Sequence, residues 1–171
     1  LLFGTVFGEY HSSQGWDFWN RALFITPSQT LAVHGYEAAL TPSIYYDKIH
    51  LVPFGEWIPL GEYWPFYHIE TLIEEAGAGL FERGSEITIF ETRSGVSFAV
   101  GICFESTLAR QMHRAKKLGT DFLVNITNDA WFERTAAARQ HVEMTALRAI
   151  ENGVYVVQAA NSGITAIIDP R

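Results

Sequence analysis

A chain of 171 residues in which 48% are hydrophobic and 14% aromatic is about one domain's worth of material, with enough apolar surface to build a core. Its formal net charge of −7, from 19 acids against 12 bases with no basic run, argues against the phosphate-backbone binding that nucleic acid demands. One cysteine, Cys103, cannot form an internal disulfide, and no stretch approaches the roughly 18 to 20 unbroken apolar residues of a bilayer span.

The chain begins at once with a β-type run, Leu1 to Phe7, followed by others at Ala22 to Thr26 and Ile44 to Val52, separated by Gly, Ser, Pro and Asn. These predict neighbouring strands of one sheet. Residues 53 to 79 are rich in Pro, Gly and aromatics, with a short helical stretch around Ile69 to Ala76, and a long aromatic loop of this kind is more often functional than not. Ile87 to Glu91 and Val96 to Ile102 predict a hairpin, Thr107 to Leu118 an amphipathic helix, and Phe122 to Ile126 a buried strand, which together make a β-α-β passage. A second helix over Ala136 to Asn152 places Val142, Ala146, Ala149 and Ile150 on one face and Gly153 in the stopping position. Strands at Tyr155 to Ala160 and Ile164 to Ile168 follow, joined by a turn at Asn161-Ser162-Gly163. The pattern predicts an α/β sandwich. Both ends break off beside a strand where termini usually fray into polar residues, so the sequence reads as cut from something longer.

Cys103 ends the apolar run Val96 to Ile102 and precedes a helix that Ser106 or Thr107 could cap. A thiol so placed is held rigidly near the positive end of a helix, which favours thiolate, although free cysteine is also among the most buried residue types. Lys48 lies in a polar cluster, Tyr45 to Glu56; beside a reacting thiol a lysine stabilises thiolate and the oxyanion that follows, whereas taken singly it is an ordinary surface charge. Glu56 and Glu105 sit in apolar, aromatic company that raises carboxyl pKa values toward general acid-base use; each could equally serve only to orient Lys48. Asn125 to Phe132 closes another strand with polar groups, among them Asn128, and with Trp131, which builds a pocket wall or simply packs. The six histidines show no metal-ligand spacing and a single cysteine offers no thiolate cluster, so neither metal nor cofactor is expected.

Four ordered blocks carry a resemblance: Tyr46-Asp47-Lys48-Ile49-His50-Leu51-Val52-Pro53-Phe54-Gly55-Glu56-Trp57-Ile58-Pro59; Gly101-Ile102-Cys103-Phe104-Glu105-Ser106; Asn125 to Phe132; and Gln140-His141 through Arg148 to Asn152 and on to Asn161-Ser162-Gly163. Together they resemble the carbon-nitrogen hydrolase domain of bacterial apolipoprotein N-acyltransferases. The resemblance implies a nitrilase-like, four-layer αββα sandwich, here a partial domain over 1–171, and a Glu-Lys-Cys catalytic set. Cys103 would take a fatty acyl group from a phospholipid as a thioester and pass it to the amino terminus of a diacylglyceryl-cysteine apolipoprotein. Lys48 matches the family lysine, Glu56 and Glu105 match supporting carboxylates, and Phe104, Asn128 and Trp131 fall where substrate would be bound. The parent context it implies is a bacterial inner membrane, with the catalytic domain on the periplasmic side.

Three departures accompany the resemblance. The family's general-base glutamate, set in a Pro-Glu motif upstream of the strand matched by Leu1 to Thr5, has no counterpart, and neither have the membrane helices, so the fragment is expected to be poorly active alone. Phe104 stands where a tyrosine is expected. Two other readings stay open: a soluble amide hydrolase of the same superfamily, in which water resolves the thioester, and a non-catalytic binding module that has lost its base.

Overall fold

The computed structural model describes residues 1–12, 15–25, 44–60, 80–132 and 135–171. Strand β1 (Leu2–His11) pairs antiparallel with β2 (Gly15–Phe24) in unbroken register from Leu2 opposite Phe24 to His11 opposite Gly15. Gly15 leaves the turn at φ 95, which suits a residue without Cβ. Strand β3 (Ile44–Asp47) adds to the other edge of β2, with Arg21 opposite Asp47. The expected first sheet is therefore present, but its first two strands are longer than the runs that announced them. Ten-residue strands mix Gly, Glu, Asp and Asn with aromatics and hide their alternation. β3 is shorter than the expected Ile44 to Val52. Past Asp47 the backbone N–H groups of Ile49, His50 and Val52 donate to glutamate side chains instead of to a neighbouring strand.

The second sheet runs β4 (Ile89–Glu91), β5 (Ser97–Ile102), β6 (Phe122–Thr127), β7 (Val156–Ala160) and β8 (Ala166–Ile168), paired in chain order. β5, β6 and β7 are parallel, while β4 and β8 close the edges antiparallel. Helix α1 (Ala109–Lys117) carries the chain from β5 to β6, and α2 (Ala137–Asn152) carries it from β6 to β7. Parallel neighbours need such crossovers.

Alternation along β5 builds a core on each side of it. Phe98, Val100 and Ile102 join Ala22, Tyr46, Phe90, Val124 and Ile126 between the two sheets. The ring of Phe24, from the first sheet, meets Phe90 and Phe98 edge-on at 5.9 and 5.3 Å. Ala99 instead joins Met112, Ala115, Leu123, Ala149, Val154 and Val156 beneath the helices. Two sheets face to face with helices on the outer side of the larger one make the α/β sandwich expected. The helical stretch expected at Ile69 to Ala76 lies outside the described residues.

The inward face of α2 differs from the expected one. It presents His141, Thr145, Arg148 and Ala149, while Ile150 is 58% exposed. This face meets the turn after Cys103, whose carbonyls and hydroxyls demand polar partners, and that requirement overrides the apolar periodicity. Gly153 stops the helix in the left-handed conformation, as expected.

Candidate active site

Lys48 follows β3 directly and is fully buried, and its Nζ donates to both oxygens of Glu56 at 2.7 Å. The chain achieves this by doubling back. Phe54 takes a left-handed φ of 61, its N–H donates to the Trp57 carbonyl, and the Glu56 N–H donates to that of Val52. The Glu56 carboxylate is further held by the Val52 N–H at 2.8 Å and by Asn20 Nδ2 at 3.2 Å. A lysine buried this deeply is tolerated only with such a partner. The solvated surface charge that its residue type suggests does not describe it.

Cys103 sits at the carboxyl end of β5 with φ 53, a left-handed conformation that costs a non-glycine residue about 1 to 3 kcal/mol. A sharp strand-to-turn bend of this kind raises a side chain off the sheet end, as a nucleophile requires. The thiol is free and partly buried. The helix expected to begin at Thr107 starts at Ala109, and a 3-10 turn, Cys103–Thr107, comes between. Ser106 and Thr107 do not cap that helix. Their hydroxyls donate back to the carbonyls of Cys103 and Phe104, at 3.1 and 2.7 Å, which closes the turn early.

Glu105 is fully buried and joins the two halves of the site. Its Oε1 accepts from the Tyr46 hydroxyl at 2.7 Å and from the N–H groups of Ile49 and His50 at 2.9 and 3.0 Å; its Oε2 accepts from Ile102 N–H at 2.9 Å. It thereby ties the residues just after Lys48 to the residue just before Cys103. Among the described residues no hydrogen bond runs from Glu105 to Lys48 itself, so the two carboxylates are separated in task. Glu56 pairs the lysine, and Glu105 links the segment after Lys48 to the end of β5. Burial, followed by the Glu105 charge and hydrogen bond, pushes the Tyr46 hydroxyl far above its ordinary pKa, so it remains a donor.

Next to Cys103, Phe104 is 38% exposed. Asn128 is exposed but engaged: its Oδ1 accepts from the Ser162 hydroxyl at 2.7 Å and from Ala130 N–H. The side chain of Trp131 lies outside the described residues. No group of three or more His, Cys, Asp or Glu is placed to hold a metal among the described residues. The sequence reading missed Asn20 and Tyr46 as contributors, since a strand Asn and a strand Tyr carry no local mark of the carboxylates they reach.

The sequence profile of the carbon-nitrogen hydrolase family matches residues 1–171. The chain belongs to that family. Curated family members resemble it closely: an apolipoprotein N-acyltransferase of Geobacter metallireducens is 46% identical over 125 residues, which is 73% of this chain and 23% of that protein. The corresponding enzyme of Pasteurella multocida is 34% identical over 148 residues, 83% of this chain and 27% of its own. The chain thus spans about a quarter of these relatives. Among solved structures, Saccharomyces cerevisiae Nit3, a member of branch 10 of the nitrilase superfamily, superposes with a TM-score of 0.59 at 17% identity, covering 98% of this chain and 51% of that one. A glutamine-dependent NAD+ synthetase of Acinetobacter baumannii gives 0.64 at 15% identity, covering 99% and 27%. At such identities these two establish the nitrilase-like fold.

Proposed function

We propose that this chain is a carbon-nitrogen hydrolase domain that catalyses N-acylation of bacterial lipoproteins through a thioester on Cys103. The observation that carries the reading is the pairing of a fully buried Lys48 with Glu56, tied through Glu105 to a cysteine in a strained strand-end turn. In the first half-reaction the thiolate adds to an ester carbonyl of a phospholipid. The tetrahedral oxyanion collapses, the C–O bond breaks, and the lysophospholipid alkoxide takes up the proton that a general base had removed from the Cys103 thiol; that base later passes the amine proton back to sulfur. In the second, the free amine of a diacylglyceryl-cysteine attacks the thioester, an amide forms, and the thiol returns. The Lys48 ammonium stabilises the thiolate and each oxyanion. Glu56, with its oxygens occupied, orients the lysine. No residue of this chain is assigned as that general base.

The aromatic segment that begins at Pro53 supports a lipid donor, since Phe54 and Leu60 are both strongly exposed and apolar. By the same likeness the domain works on the periplasmic face of an inner membrane. No helix among the described residues is long and apolar enough to cross one.

The test is to incubate the protein with a phospholipid carrying a labelled acyl chain, then to add a diacylglyceryl-cysteine peptide. Label should become attached to the protein, be released by hydroxylamine, move to the peptide amine, and be lost altogether in Cys103→Ala. Hydroxylamine-resistant label, or none, sinks the thioester. Release to water with the peptide ignored favours the amide hydrolase.

A further inference from the structure

Behind the Cys103 turn runs a buried polar chain for which the proposed reaction has not yet given a use. The Thr127 hydroxyl donates to Asp129 Oδ1 at 2.8 Å, and the same oxygen lies 2.9 Å from His141 Nδ1. Facing an acid oxygen, Nδ1 is the donor. His141 Nε2 lies 2.9 Å from Ser106 Oγ and 3.1 Å from the carbonyl oxygen of Cys103. Thr145 Oγ1 closes the group, 3.0 Å from Ser106 Oγ. Serine, histidine and aspartate in this order form the sequence of contacts of a hydrolytic triad. Ser106, however, is fully buried, and its hydroxyl is directed at the Cys103 carbonyl, so it has no approach to a substrate.

The chain is itself anchored on the far side. Asp129 N–H donates to the Ser162 carbonyl at 3.1 Å, and the Asp129 carboxylate lies so close to Gly163 that a Cβ there would overlap it. Ser106 of the turn and His141 of α2 therefore meet at one backbone oxygen, that of the residue held at φ 53, and Asp129 ties His141 to the ends of β6 and β7. Packing alone could have used apolar groups here, and an unpaired buried polar group is penalised. A buried hydrogen-bonded cluster whose Ser106 hydroxyl donates to the nucleophile's own carbonyl, with His141 packed against both, has a more specific use.

We propose that Asp129 and His141 are positioning residues for the acyl transfer, acting through Ser106 and the Cys103 carbonyl to hold the nucleophile in its left-handed turn. This inference rests on Cys103 being the nucleophile. Removing the pair lets the turn relax toward ordinary φ and moves Sγ relative to Lys48, with little effect on how substrate is bound. A displacement on the order of 1 Å can cost about 100-fold.

The experiment measures, in the intact protein, the iodoacetamide rate of Cys103 together with kcat and KM for transfer from labelled phospholipid to lipopeptide. The variants are His141→Ala, His141→Gln, Asp129→Asn and the double variant His141→Ala with Asp129→Asn, each kept well below its unfolding midpoint. Alkylation rate and kcat should fall together by about 10- to 100-fold in His141→Ala and Asp129→Asn, with KM within about twofold. His141→Gln, which keeps a polar group near the Nε2 position, should recover most of the loss, and the double variant should be no worse than His141→Ala. Asp129→Asn keeps size and shape, so it carries the test if His141→Ala does not fold. Unchanged alkylation and kcat in folded variants, with only the unfolding midpoint lowered, overturn the positioning role and leave the reactive cysteine intact. A wild-type Cys103 that neither reacts nor carries acyl overturns both readings.

Discussion

Lys48 is the residue whose environment departs most from its type. Among the described residues its ammonium pairs with Glu56, so Lys48→Met should leave a half-buried carboxylate unpaired and lower stability by about 3 to 5 kcal/mol, measured by urea unfolding. Lys48→Met combined with Glu56→Gln should regain much of that stability but none of the thiol reactivity. A double variant as unstable as the single one would show that the ion pair is not what holds Lys48 in place. Tyr46 offers a second test. Its hydroxyl donates to a buried carboxylate, so Tyr46→Phe should cost about 1.5 to 3 kcal/mol at neutral pH. Because the Tyr46 pKa is raised from its ordinary 10.0, its contribution is complete below that value and is lost as pH climbs above it. The gap between wild type and Tyr46→Phe should therefore narrow above pH 10, and a gap independent of pH would contradict the assignment. At this scale the sequence was legible where a residue type is rare in its setting: a lone cysteine after an apolar strand, a lysine and a glutamate inside an aromatic motif. It was not legible where a common residue gains its task from a distant partner, as Asn20 does from Glu56 and Ser106 from His141.

Among the elements, α2 is the clearest case of packing prevailing over periodicity. Its apolar positions Met144, Leu147 and Ile150 are exposed, while His141, Thr145 and Arg148 are inside beside Ala149. Ile150→Gln should accordingly change stability by less than about 0.5 kcal/mol. Arg148→Ala, which removes a donor to the Thr107 carbonyl and the partner of Glu151, should cost about 2 kcal/mol by the same unfolding measurement. The reverse ranking would restore the apolar face that the sequence suggested. Strand identity was readable wherever β-branched and aromatic residues ran together, as in β5 and β6, because both faces of those strands are buried. The β1–β2 hairpin was only half readable, since strands with one partly wet face tolerate Glu, Asn and Gly.

Over the whole molecule, the response to acid should depend on exposed carboxylates that serve as strand ties. Asp121 accepts from the N–H and hydroxyl of Ser97, linking the starts of β5 and β6, and these bonds hold its pKa below the usual 3.8. Arg171, by side chain and backbone, and the Tyr155 hydroxyl lower that of Asp169 to about 2. Depressed carboxylates stabilise the fold at pH values above their unfolded pKa, and the contribution disappears as pH falls through the folded one. Asp121→Asn and Asp169→Asn should thus be less stable than wild type at pH 6 and converge with it as pH approaches 2, followed by thermal melting. Curves that stay parallel would remove these ties from the account.

The split of the site between two sheets has a consequence for how the chain comes to its finished form. Lys48 follows the small sheet and Cys103 follows a strand of the large one, and Glu105 joins their neighbouring residues across more than fifty positions of sequence. Either sheet, once formed alone, holds only half of the chemistry. On the proposed chemistry, a partly refolded chain should therefore be quiet, with the thiol gaining reactivity as the two sheets close on each other. In a refolding time course, fast alkylation of Cys103 would serve as a clock for that closure, arriving after the backbone signal of either sheet.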